Sequence, residues 1–510
     1  MLISQSSYTA ALPNTKRYFF WFVVLHVLAW TLGPALLRGS LTHDTLEGIA
    51  WGLQWQWGYN KHPCFTAWAC AAITKLFGSI DWPVYGLAQL AVATTFFAVW
   101  RLANKMLPPV HALIATLSLE GVLFYNLNSF NLTPDSMQSP IWALLTWFFY
   151  QALTKQTLSQ WLLTGLLAAI AVVTKYQVAL LFLPMLGFCL VNSQARRSFS
   201  KPGIYLAVIS MLLLITPHLI WLYQNHFITI TYAFATPAEY THQRYAWPHV
   251  IYPLRYLLNN IGNVLGLLVL FWPFYSKPKE NLNLGSFNWQ FLLWLGLGPI
   301  LLSLGLAFIT GTHFPPRWST PYYFLLGIML MAWLKPQISK KRFQLFILTL
   351  IMVGSLIFLV RMGSIALGPK LDKDAHADSY LPNQQIATTL TKLWHERYHE
   401  PLRYIAGSRY LVAALVAYSP DHPRPYFDWN RQESPWIDEA DLIKQGALVV
   451  WDPESNYTWD AESAANTHLP PAIEQRFPQL IPLGTYDFNR LVPFKAPVRI
   501  GVALLPPLSR

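Results

Sequence analysis

Asp44, Glu47, Lys61, His62, Asp135, Lys175 and Arg317 interrupt a chain that is otherwise poor in charge. They fall in "LTHDTLEG", "GYNKHPC", "NLTPDS", "VVTKYQ" and "FPPRWS", far apart in sequence, with "PAEYTHQRYAWPH" (237–249) between the last two. Cations brought to one place suit a leaving group that departs as a phosphate, because negative charge grows on its oxygens in the transition state. Lys175, Arg317, Lys61 and Arg244 are the residues that would supply such cations, arginine adding two-pronged contacts. A carboxylate beside them, Asp44 first and Asp135 second, would accept a proton from an attacking hydroxyl. If the acceptor is itself a phosphate, no base is required, and the carboxylates would orient groups or hold a metal.

Each residue also has a plainer reading. Asp44 in "THDTLEG" and Asp135 in "NLTPDS" are placed to cap helices, and His62-Pro63 would make a turn. Glu120, inside the apolar run "HALIATLSLEGVLFYN", is a functional candidate because acids in lipid are costly, or else one side of a helix–helix hydrogen bond. His242 and Arg244 either join a donor or acceptor pocket or lie on a surface loop. What the plain readings handle poorly is convergence, which depends on the elements that carry these residues.

Those elements are read from hydropathy. Of 510 residues 54% are hydrophobic and only 12% charged, about half the charge of a soluble domain. The long apolar runs lie within 18–361, whereas 370–510 reads as an ordinary soluble sequence. Spans need about twenty apolar residues, and eleven candidates result: 18–37, 84–103, 110–127, 138–153, 160–174, 177–193, 203–223, 256–275, 289–309, 321–335 and 343–361. Lys175 splits one long apolar stretch, because a lysine at the bilayer centre costs a few kcal/mol or more. It therefore belongs at a membrane surface between two short helices. The first run is about twenty residues, too long for a signal-peptide core, and reads as a retained span.

The formal charge of +12 comes in small basic clusters between apolar runs, such as Arg196, Arg197 and Lys201, and Lys340, Lys341 and Arg342. This is the pattern of cytoplasmic loops and speaks against nucleic acid as a partner. By the positive-inside rule the N-terminus is cytoplasmic, and the seven residues above share the opposite face with the C-terminal part. The expected division is a transmembrane domain over 1–365, with outer loops 38–83, 127–138, 224–255 and 310–320, and a soluble domain over 366–510. Strand-like "LRYIAG", "GALVVWD" and "VRIGVALL", with helical 383–398 and 408–418, predict a small α/β module. Cys64, Cys70 and Cys189 form no metal or disulfide pattern.

Three stretches in order, "HDTLEGIAWGLQWQWGYNKHPCFTAW", "NLTPDSMQSPIWALL" and "GLLAAIAVVTKYQVALLFLP", resemble glycosyltransferase family 39 over about residues 15–335. These are GT-C-type membrane enzymes that include the lipid A aminoarabinose transferase and the protein O-mannosyltransferases. The resemblance implies Asp44 as the main catalytic carboxylate, Asp135 as the second-loop aspartate and Lys175 as the lysine on the donor phosphate. It implies Tyr59, Lys61 and His62 in the loop that lines the donor, and Arg317 as the basic residue of the late loop "THFPPRWSTPYYF". Lys61 stands where the family form has a glutamate, which in the aminoarabinose transferase belongs to a metal site. His62 stands where it has lysine, Cys64 replaces a proline, and Glu47 replaces an arginine. No cofactor is assigned, and a divalent metal is left open.

The expected protein is thus a polytopic α-helical membrane protein of GT-C type, with about eleven spans and a periplasmic C-terminal α/β domain, in a bacterial inner membrane. Its expected activity is inverting transfer of a sugar from a polyprenyl (undecaprenyl) phosphate donor. Lipid A or another lipopolysaccharide part is the expected acceptor, with a protein hydroxyl or another envelope glycan behind it. The rival class is a lipid or sugar transporter or flippase. Transporters tend to place ionisable residues near the midplane on broken helices and to carry internal repeats, and no repeat is evident here.

Overall fold

The computed structural model describes residues 14–127, 129–239, 241, 245–275, 282–371, 380–453, 471–491 and 496–508. Backbone in hydrocarbon must satisfy its own hydrogen-bonding groups, so the apolar runs become helices. In chain order these are α1 (Thr15–Leu37), α2 (His43–Gly52), α3 (Phe65–Phe77), α4 (Asp81–Met106), α5 (Pro109–Leu117), α6 (Pro134–Lys155), α7 (Leu158–Thr174) and α8 (Ala179–Val191). They continue as α9 (Ser193–Arg196), α10 (Pro202–Gln224), α11 (Ile228–Glu239), α12 (Pro248–Leu270), α13 (Gly285–Thr310), α14 (Leu326–Leu334) and α15 (Lys340–Leu371).

Helix occurs at each of the eleven expected spans, but the span count is smaller by length and composition. Among the described residues five helices are long and apolar enough to cross a membrane: α1, α4, α10, α13 and the Lys340–Gly368 part of α15. A sixth results if Tyr176–Val191 and Ser193–Ser200, bent by 92°, count as one. The difference has physical causes. α5 stops at Leu117 and gives way to 3-10 turns at Ser118–Gly121 and Leu123–Tyr125, while α14 has only 9 residues. α6 and α12 are long but carry buried polar residues such as Gln138, Gln151 and Asn260.

Side-chain bonds draw several helix ends and loops to one end of the bundle. At that end Arg38 Nη1 donates to Asn131 Oδ1 (2.9 Å), Thr45 Oγ1 donates to the Leu132 carbonyl (3.2 Å), and the hydroxyls of Tyr256 and Ser319 lie 2.7 Å apart. α2 and α3 pack together in this region. Their close crossing requires Gly52, because a Cβ there would meet the Ala67 carbonyl oxygen at 1.8 Å.

The same end carries the α/β module. Helices α16 (Asn383–Tyr398), α17 (Arg409–Tyr418), α18 (Glu439–Gln445) and α19 (Pro471–Arg476) accompany strands β1 (Tyr404–Gly407), β2 (Arg424–Phe427), β3 (Ala447–Trp451), β4 (Ile481–Phe488) and β5 (Val498–Leu505). The sheet order is β2-β1-β3-β5-β4, with β1 parallel to β2 and β3, and β5 antiparallel to β3 and β4. The three expected strands are β1, β3 and β5, and the two expected helices are α16 and α17. The sequence pattern missed β2 and β4, which are the sheet edges and carry Pro425, and Pro482 and Gly484. Proline and glycine are tolerated at edges, so alternation is weak there.

One apolar cluster runs from Trp30, Leu46 and Ile49 through Tyr59 into Leu411, Leu415 and Val450. The junction therefore has a shared core. Polar contacts pin it: the Leu41 N–H donates to the Tyr418 hydroxyl (3.0 Å), which donates to Asp81 Oδ1 (2.8 Å), and Asn383 Nδ2 donates to Ser40 Oγ (2.8 Å).

Candidate active site

α6 begins with a capping box rather than with Asp135. Thr133 Oγ1 accepts from the Ser136 N–H (3.3 Å), and Ser136 Oγ accepts from the Thr133 N–H (3.0 Å). With the helix end satisfied, Asp135 is left to bind elsewhere. Its partner is Lys175, at the break after α7, in extended backbone (φ −163°, ψ 134°) that ends one helix before the next can start. The Lys175 Nζ to Asp135 Oδ1 distance is 2.5 Å, and Arg317 Nε lies 3.9 Å from Asp135 Oδ2. The ammonium also sits 5.4 Å from the Trp318 ring centre. Two cations share one carboxylate, and charge-assisted contacts of this kind suit an anion.

Gln177 and α12 hold this cluster in place. Gln177 Nε2 donates to the Trp318 carbonyl (2.5 Å) and to the Tyr322 hydroxyl (2.7 Å). Tyr256 meets Ser319 at the end of the 3-10 turn Pro316–Ser319 that carries Arg317.

A second ionic cluster is centred on Glu47, whose side chain is 2% exposed. Lys61 Nζ donates to both its oxygens (3.0 and 3.1 Å), Arg409 Nη1 donates to Oε1 (2.5 Å), and His43 Nε2 lies 4.0 Å from Oε2. Burial alone would push the Glu47 carboxyl up, but the charges of Lys61, Arg409 and His43 overrule it and hold the carboxyl at about 2. Arg409 also binds Asp428 (3.3 Å) and Glu433. Between the clusters lies the loop 58–64, closed by the Tyr59 N–H donating to the His62 carbonyl (3.0 Å) and by a bridge from Gly58 to Pro63. Burial, reinforced by the Lys175 ammonium, pulls His62 down to about 3, so its ring is neutral at ordinary pH.

The structure thus brings Asp135, Lys175 and Arg317 together, and joins Glu47 to Lys61. Asp44 is exposed in the first turn of α2, one turn before Glu47, and among the described residues it has no hydrogen-bond or ion-pair partner. It does not cap the helix. Four other expected residues have defined surroundings. Tyr59 is fully buried, stacked on Trp51 at 5.5 Å with its hydroxyl accepting from the Gln56 N–H (3.2 Å), so it packs the loop. Lys61 is paired with Glu47. His62 lies in the 58–64 loop, its ring neutral. Glu120 bonds His26 in the middle of α1 (Oε2 to Nδ1, 2.8 Å), the helix–helix alternative, and not the loop cluster. His242 and Arg244 lie outside the described residues.

Sequence reasoning missed Gln177, His218 and Arg409. His218 Nδ1 donates to the Trp57 carbonyl (2.6 Å), and its Nε2 accepts from the Tyr176 hydroxyl (2.8 Å), tying α10 to the 58–64 loop. An ionisable residue within the apolar run "LLLITPHLIW" was a readable signal. Arg409 sits in a soluble-looking segment and gave none.

A metal does not fit these residues. Among the described residues no three His, Cys, Asp or Glu side chains gather as ligands. The position that bears the metal-site glutamate in the aminoarabinose transferase carries Lys61, whose ammonium occupies Glu47. All three cysteines are buried free thiols.

Residues 61–221 match the family model described as dolichyl-phosphate-mannose-protein mannosyltransferase. No curated protein matches the sequence. The fold is similar to the crystal structure of ArnT from Cupriavidus metallidurans bound to undecaprenyl phosphate, at 14% identity and a TM-score of 0.60, covering 96% of this chain and 98% of that one. The same protein in the apo state gives 14% identity and a TM-score of 0.51 over 96% and 98%. The chain therefore shares the fold of that structure, and residues 61–221 are similar to the family described as dolichyl-phosphate-mannose-protein mannosyltransferase, in keeping with the resemblance to glycosyltransferase family 39.

Proposed function

We propose that the chain transfers a sugar from a polyprenyl phosphate, of the undecaprenyl class, to a lipid A, lipopolysaccharide or other envelope acceptor. The work is done at the membrane face that carries the C-terminal domain, the periplasmic face of a bacterial inner membrane. The observation that carries this reading is the Asp135–Lys175–Arg317 cluster, a carboxylate with two cations at a helix break. Its support is the fold shared with a protein crystallised with undecaprenyl phosphate.

In the reaction the acceptor oxygen attacks the anomeric carbon as the bond to the phosphate oxygen breaks, and the bonding pair leaves with the phosphate. Attack from the opposite side inverts the centre. Lys175 and Arg317 receive the charge that grows on the phosphate oxygens, and Asp135 aims Lys175 at it. Asp44 takes the proton of a hydroxyl acceptor, whereas a phosphate acceptor brings no proton that must leave.

The test is donor-dependent transfer of labelled sugar by the purified chain, with Asp44→Asn and Lys175→Ala beside it. Transfer by the wild-type protein and its loss in Lys175→Ala are expected. Wild-type rates in both variants would reject the site, and sugar-lipid movement across a vesicle without transfer would favour the transporter class. A topology reporter fused at Gln384 is expected to read periplasmic; a cytoplasmic signal would invert the orientation.

A further inference from the structure

The C-terminal domain does more than cover the helix bundle. Arg409 opens α17 and reaches out of its own domain to Glu47 on α2, at 2.5 Å. Its side chain is 13% exposed, and Asp428 and Glu433 brace it from behind. The neighbouring Tyr410 ring stacks on His43 at 5.0 Å and 15°, so α17 grips the first turn of α2, which also carries Asp44. Glu47 in turn takes both hydrogen bonds from Lys61, the residue beside His62 in the loop 58–64. The chain of contacts runs from the soluble domain through Glu47 to the loop 58–64.

We infer that Arg409 is a positioning residue for the transfer reaction: it neutralises Glu47, and Glu47 then fixes the Lys61 ammonium, the 58–64 loop and the N-terminal turn that bears Asp44. The inference rests on the proposed function for its catalytic meaning and on the contacts above for its geometry. It makes the α/β domain part of the catalytic unit. It also involves two departures from the family form. Glu47 stands in place of arginine and Lys61 in place of glutamate, and the two side chains meet at 3.0 Å. Arg409 supplies the second cation that a buried carboxylate needs.

The groups facing Glu47 are His43 on its own helix, Lys61 from the loop and Arg409 from α17. Removing Arg409 leaves burial opposed by fewer charges, so the carboxyl rises and protonates as pH falls. The experiment uses the full-length protein with Arg409→Met, Arg409→Lys, Glu47→Gln and the Glu47→Gln/Arg409→Met pair. Arg409→Met is expected to lower kcat by about 10- to 100-fold, the scale seen when outer partners of site groups are lost. The loss relative to the wild-type rate at the same pH should deepen toward acid pH. Arg409→Lys should recover part of the rate. The double variant should be no slower than the slower single, because both changes break one path. Amide exchange at Tyr59, whose N–H closes the loop, should quicken in Arg409→Met while β3 is unchanged.

A loss that is independent of pH, additive effects in the double variant, or unaltered exchange at Tyr59 would each overturn the proposal. If the wild-type chain transfers no sugar, the proposed function fails, and the exchange measurement still decides what Arg409 holds.

Discussion

The Asp135–Lys175 cluster and the Glu47–Lys61–Arg409 cluster occupy the same end of the molecule, yet they spend their charges differently. In the first, two cations meet one carboxylate whose side chain is 17% exposed, and the Arg317 side chain is itself 52% exposed. In the second, a carboxylate at 2% exposure is closed off by its cations, and Arg409 is in turn closed off by Asp428 and Glu433. The first cluster is arranged to meet a ligand. The second is arranged to satisfy itself, which is how a buried charge is tolerated. On the proposed function, the first set of charges would act on substrate and the second would keep the first in place.

The sharpest way to break this contrast is to remove one charge from the first cluster. Lys175→Ala is expected to cut transfer by about 100- to 1,000-fold, as loss of a group that stabilises developing oxyanion charge does. The thermal midpoint should barely move. Asp135→Asn keeps the shape but frees the lysine, and a smaller loss, about 10- to 100-fold, is expected. A large fall in thermal stability in either variant would show that this cluster too is architectural.

The second region should show the reverse balance. Gly52→Leu must part α2 from α3, since even a Cβ meets backbone oxygen, and overpacking of this kind costs about 1–3 kcal/mol. A lowered thermal midpoint, with the rate lost only as far as the loop 58–64 is disturbed, is expected. Acid provides the mildest probe. The folded Glu47 pKa of about 2 lies below its ordinary 4.5, so its stabilisation is complete above 4.5 and is lost as pH falls toward 2. His62 is held neutral in the fold at about 3 against an ordinary 6.5, so the unfolded chain takes up its proton first. Both groups therefore weaken the fold on acidification, His62 from about pH 6.5 downward and Glu47 below 4.5. Unfolding measured against pH should show His62→Gln flattening the upper part of that fall. A fold that loses no stability between pH 6.5 and 4.5 would remove the burial argument for His62.

Much of this arrangement was legible in the residues. The helix break at Lys175 follows from the cost of a lysine in hydrocarbon, and the structure has it between α7 and the 3-10 turn Tyr176–Val178. The strands β1, β3 and β5 announced themselves by runs of branched apolar residues. The eleven-span expectation was less successful, because a hydropathy window counts apolar residues and cannot see where a helix stops. "HALIATLSLEGVLFYN" reads as one span, yet it folds as α5 followed by two 3-10 turns that let Gly121 touch the backbone of Gly266.

The sequence by itself determined the classes of element, the cations and carboxylates available, and their occurrence in loops between apolar runs. These follow from local rules, since hydropathy, helix termination and the penalty for charge in lipid act over a few residues at a time. Only the tertiary structure decided which charge meets which. Glu47 and Arg409 are 362 positions apart, and Asp135 meets Lys175 across 40. Such pairings depend on the packing of α17 on α2 and of α6 on α7, a sum of many weak contacts that no single stretch of the chain encodes. That sum turned Lys61 from a free cation into the partner of Glu47, and gave the α/β domain a residue at the site.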